Sequence, residues 1–191
     1  MINGGIMKRS YFLFITGICI LTLAGADLFA KSYKKVDSAK TANMIFASSA
    51  IGKGKESSVT LKDSFTSSES IYARCYFPKA IGRFDKGEKC HLHLWVDGKV
   101  IWRGVYSGRT LPDASWDQIQ IYIRNTGEND FNGAISNALD TVSSGSHEVQ
   151  FIILRDKFMK YKYIKDGKNV TKEPVYKPVY LSKGKFNYEV K

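Results

Sequence analysis

The chain has 191 residues and a formal net charge of +11, with 43% hydrophobic and 13% aromatic residues. That length and apolar content exclude a wholly disordered chain and allow one domain with a sizeable core. There is no internal repeat and no long low-complexity tract.

The first 26 residues read as a signal peptide. Lys8 and Arg9 form a basic start, Tyr11 to Leu23 an uncharged apolar run, and Ala24-Gly25-Ala26 a small-residue cleavage site, with Ala30 as an alternative end. The uncharged stretch is short for a bilayer span. The expected mature chain is therefore exported, periplasmic or secreted, and has no transmembrane segment. Cys19 follows Ile18, where a lipoprotein signal wants a small residue, so it is expected to leave with the signal. Residues 27–41 are polar and charged and read as a flexible leader, and residues 42–191 as a single domain.

Strands follow one another. MIFAS (44–48) and SVTLKDSF (58–65) come first. In IYARCYFP (71–78), Ile71, Ala73, Cys75 and Phe77 share one face, and Pro78 ends the run. In CHLHLWV (90–96), Cys90, Leu92, Leu94 and Val96 do the same, and Asp97-Gly98 signals a tight hairpin into KVIWRGVY (99–106). A hairpin closed on Asp97-Gly98 places His93 opposite Trp102 and Trp95 opposite Val100. DQIQIYIR (117–124) alternates as well. DFNGAISNALDTVSSG (130–145) changes period: Phe131, Ile135, Leu139 and Val142 recur at helical spacing, with Asp130 as N-cap and Gly145 past the end. HEVQFIIL (147–154) is apolar on both faces near its end and reads as a central strand. KFMKYKYI, a turn at Asp166-Gly167 and KPVYLSKGKFNYEV complete the chain. The expected fold is all-β and mostly antiparallel, an immunoglobulin-like β-sandwich with one short helix crossing between strands.

Export leaves two cysteines, Cys75 and Cys90, and an even count in an oxidising compartment predicts a disulfide between them. His91 and His93 lie on one face of their strand, and with His147 they could supply three nitrogens to zinc. Against this, cross-strand pairing beside a tryptophan is the ordinary use of such a face. Catalytic signatures fail in turn. GVYSG (104–108) is not G-x-S-x-G, Gly82 to Lys89 lacks the Lys and Ser/Thr of a P-loop, and GKGK (52–55) lacks a strand-to-helix context. No cofactor is expected and enzymatic activity is not supported. Asn169-Val-Thr171 is a glycosylation sequon that matters only in a eukaryotic cell.

Charge is the remaining signal. Residues 155–191 hold eleven Lys/Arg and four Asp/Glu, a net of +7. Arg155, Lys157, Lys160, Lys162 and Lys165 are the candidate anion-binding residues. The functional expectation is a non-catalytic binding or structural protein of the cell envelope, contacting an anionic component such as lipid headgroups, lipopolysaccharide or an acidic glycan. Nucleic acid fits the charge but not export. A zinc protein using the three histidines, and an envelope subunit that pairs a strand edge with another protein, are the alternatives.

Overall fold

The structure is a computed structural model; it describes residues 32–84, 86–106, 114–124 and 130–191, the side chains of residues 106 and 130–132 excepted. Ser32 to Lys191 form one compact unit. The signal-peptide residues, Cys19 among them, and the serine of GVYSG lie outside the described residues.

The chain is mostly β. Its strands are β1 (Ala42–Ala47), β2 (Ser64–Thr66), β3 (Ile71–Tyr76), β4 (Cys90–Val96), β5 (Lys99–Tyr106), β6 (Gln118–Arg124), β7 (Gly145–Asp166) and β8 (Asn169–Val190), with one α-helix, α1 (Asp130–Asp140), between β6 and β7. They form one curled sheet in the order β5-β4-β7-β8-β1-β3-β6, with β2 alongside β8. The architecture departs from the expected immunoglobulin-like sandwich in two ways. β1 links the two halves: its first two residues pair with β8, and Met44 to Ala47 pair with β3. The sheet is also mixed, because β1 and β2 both run parallel to β8.

Alternation drives this curl. The inward residues of β3 and β6 (Ile71, Ala73, Cys75, Ile119, Ile121, Ile123) join those of β4 and β7 (Leu92, Leu94, Phe151, Ile153) in a single core. β7 is central there, between β4 and β8, and accordingly buries Ile152 and Leu154 on its second face too. Ile135 and Leu139 of α1 are buried in the same core, and the helix contacts both β6 and β5. Gly184 marks the tightest approach. A Cβ there would stand 2.6 Å from the Met44 Cβ and 2.7 Å from the Phe46 ring, so glycine alone lets β1 cross β8.

Three local expectations change. Of SVTLKDSF only Ser64–Thr66 is strand, although Leu61 bridges Ala47. The helix ends at Asp140, and Gly145 (φ 129) opens β7 instead of capping α1. Asp97 and Gly98, at φ 47 and 76, form the expected two-residue turn. A bulge between Leu94 and Trp95 shifts the register beyond it, so Trp95 faces Val100 but His93 faces Arg103 and Leu94 faces Trp102. Part of the leader is tied down: Val36 bridges Ala42, and the Asn43 N–H donates to the Lys35 carbonyl.

Candidate functional site: a basic β-hairpin arm

β7 and β8 outrun the sheet. The last residue of β7 with a partner in β4 is Arg155, and β8 meets β1 only from Ser182 onward. Between these points the two strands pair only with each other, to a turn at Gly167 and Lys168. Asp166 itself is paired with Asn169, and the positive φ of Gly167 (58°) suits the first central position of a tight hairpin. From Asp156 outward the arm reaches about 35 Å at roughly 3.3 Å per residue.

A two-stranded ribbon is marginal in water, and this one is braced at its base. The loop between β3 and β4 supplies the brace. The Glu88 side chain is buried; its Oε2 accepts a hydrogen bond from Arg155 Nε at 3.0 Å and another from the second guanidinium nitrogen, and its Oε1 accepts the Phe158 N–H at 2.8 Å. The Arg155 guanidinium also donates to the carbonyls of Ile81 and Arg83 and lies 4.2 Å from the Phe84 ring centroid. Tyr176 donates its hydroxyl to the Lys86 carbonyl at 2.5 Å. A short aromatic strip continues outward. Phe158 packs on Tyr161 at 4.9 Å and Tyr176 at 6.3 Å, with Lys86 and Lys172 ammoniums over the Phe158 and Tyr161 rings. Beyond it, Tyr163 and Val170 are more than half exposed.

The five candidate anion-binding residues thus divide. Arg155 is not available to an external anion, because its donors are committed to Glu88 and to two backbone carbonyls. Lys157, Lys160, Lys162 and Lys165 are exposed on the arm, and none makes an ion pair among the described residues. Lys157 lies directly opposite Lys177, a like-charge cross-strand pair that repels until a counter-charge arrives. Sequence reasoning missed Glu88 and its loop. The stretch has only the first spacing of a phosphate loop, and its one hint of a brace is an acid set among lysines.

The histidines do not converge. His91 Nε2 is 2.7 Å from Asp156 Oδ2, and its ring meets that of His93 edge-on at 6.2 Å. Burial, then the neighbouring Arg103 and His91, hold the His93 pKa below its usual value. His147 sits five residues along β7 from Ile152, the partner of His93, and by strand parity belongs to the other face. There it pairs with Asp97 at 2.7 Å and with the Ser143 carbonyl at 2.9 Å. Among the described residues no three His, Cys, Asp or Glu side chains are grouped to hold a metal.

The expected disulfide is absent: Cys75 and Cys90 are free, fully buried thiols. They point into the core from β3 and β4, which β1, β8 and β7 separate in the sheet. Burial pushes both thiols up, that of Cys90 to about 12, so neither offers a thiolate nucleophile.

No protein-family model matches the chain, and no curated protein matches it in sequence. Its functional reading therefore rests on this geometry. Among the described residues no helix is long and apolar enough to cross a membrane.

Proposed function

We propose that the chain is an exported, non-catalytic binding protein of the cell envelope whose β7–β8 arm engages an anionic component: lipid headgroups, lipopolysaccharide or an acidic glycan. The observation that carries this reading is the set of exposed lysines on a ribbon that projects from the core, none of them held in an ion pair among the described residues, although Glu173 lies opposite Lys162. Lysine suits such a role because it acts as a mobile point charge and needs no fixed geometry in its partner.

Co-sedimentation with vesicles containing anionic lipid, compared with neutral vesicles, tests it. A basic residue near an anionic surface contributes about 1 kcal/mol, so four contribute about 4 kcal/mol and roughly a thousandfold in partitioning. Lys157, Lys160, Lys162 and Lys165 changed together to Glu should abolish the salt-sensitive retention. Lipopolysaccharide and an acidic polysaccharide serve as the parallel ligands. Absence of retention on all three at low salt refutes the electrostatic reading.

A second reading has its own observation. Pro174 and Pro178 remove donors from the β8 side of the arm, whereas the β7 side carries no proline. Strand addition by another envelope protein would therefore use the β7 side. Cross-linking from cysteines placed at Met159 or Tyr163 distinguishes this from binding to a charged surface.

A further inference from the structure

A cavity of about 430 Å³ lies over the outer face of β3 and β6, away from the arm; it is lined by Lys53, Arg74, Trp116, Gln118, Gln120 and Tyr122, with Ile119. The register builds it. Arg74 pairs with Gln120, Tyr76 with Gln118 and Tyr72 with Tyr122, so three polar and aromatic rungs stack on one face.

The wall combines three features. Trp116 is 48% exposed at the rim, an indole unusually open to solvent, and Tyr122 lies against Tyr72 at 5.1 Å. The Gln118 Oε1 is buried and has no hydrogen-bond partner among the described residues, so its side chain meets a ligand through the amide N–H groups, or through the oxygen once the amide turns over. Gln120 turns its carbonyl to Arg74 at 3.2 Å, which leaves the amide's N–H groups to be offered elsewhere.

Charge decides the class of ligand. Arg74 is buried, which lowers its pKa, and it spends its guanidinium on the Ile51 carbonyl and on Gln120. Lys53 pairs with Asp117 at 3.5 Å. Arg74 is thus committed to two neutral acceptors and Lys53 to Asp117, and neither cation is left over to recruit an anion. An open aromatic face beside planar amide donors and acceptors matches a molecule with an apolar C–H face and a girdle of hydroxyls.

We propose that this cavity binds a neutral sugar ring, which stacks on Trp116 and exchanges hydrogen bonds with the side-chain amides of Gln118 and Gln120. The site is independent of the arm: its ligand is uncharged and its affinity does not depend on salt.

The test is titration of the folded protein with neutral oligosaccharides of glucose, galactose, mannose and N-acetylglucosamine at millimolar concentration, followed by NMR of the tryptophan indole and glutamine side-chain amide signals. The expected result is a saturable shift of the Trp116 indole and of the Gln118 and Gln120 amides by at least one sugar, unchanged in high salt. Trp116→Ala should weaken it by about tenfold or more. Gln118→Leu should weaken it while leaving the melting temperature equal or higher, since it removes an unmet buried acceptor. The arm variant with four lysines reversed should bind the sugar normally. Failure of the whole panel to shift these signals, shifts that persist in Trp116→Ala, or binding that high salt abolishes would each overturn the proposal.

Discussion

Glu88→Ala should unfasten the arm from the core. Glu88 has a side chain only 6% exposed and Arg155 one of 15%, so the pair is screened little by water. Removing one partner of a buried ion pair costs about 3–5 kcal/mol. Arg155 keeps the Ile81 and Arg83 carbonyls, which places this case near the lower end, at about 3 kcal/mol. The Phe158 N–H loses its acceptor in the same change. For a domain of this size each kcal/mol shifts the melting temperature by about 2–4 °C, so the expected drop is about 6–12 °C. Hydrogen exchange gives the finer readout. Amides of the arm beyond Arg155 should exchange much faster, while those of β4 and of the paired half of β7 change only with global stability. Glu88→Gln should fall between the two, because it can still accept the Phe158 N–H but not answer the Arg155 charge. A melting temperature within about 2 °C of the parent, or unchanged exchange in the arm, would refute the argument that this carboxylate anchors the arm.

Gly184→Ala should destabilise the fold by about 1–3 kcal/mol, because its new Cβ meets the Met44 Cβ and the Phe46 ring where β1 crosses β8; denaturant unfolding with no loss would show that the crossing is looser than described. His147 yields a pH dependence. Both ring nitrogens face acceptors, and the Asp97 hydrogen bond, then the Ser143 carbonyl, raise its pKa. Its stabilising contribution is full below about pH 6.5, the unfolded value, and is lost as pH rises through the raised folded value. The Asp97 carboxyl is lowered, chiefly by His147, so its share is lost only as pH falls through that lowered value. The stability difference between the parent and His147→Gln should therefore be larger at about pH 5.5 than at about pH 8.5, and a difference that grows with pH would contradict this pairing.

The basic C-terminal third was visible in composition, but its presentation was not. Lys157, Lys160, Lys162 and Lys165 could be picked out by counting; that they stand on a projecting ribbon depends on where β4 and β1 stop pairing. Arg155 belonged to the same count and proved to be a bracket for the arm, because its partner lies sixty-seven residues away in a loop without periodicity. The cysteines show the same limit. Alternation correctly turned Cys75 and Cys90 inward, but parity fixes only a face, and whether two inward thiols meet depends on the curl of the sheet.

Period-two alternation and turn residues by themselves determined that the chain is mostly β, which residues face the core in β3, β4 and β6, and that one short helix precedes β7. These are local consequences of backbone geometry: a strand's faces repeat every two residues and a tight turn needs its glycine. Sheet order, the parallel entry of β1 and β2, the bulge that moves His93 opposite Arg103, the brace of Glu88 on Arg155 and the cavity beside Trp116 were decided only in three dimensions. Each depends on contacts between segments far apart in the chain, whose energies come from packing and from burying paired charges, and neither is written in any one segment.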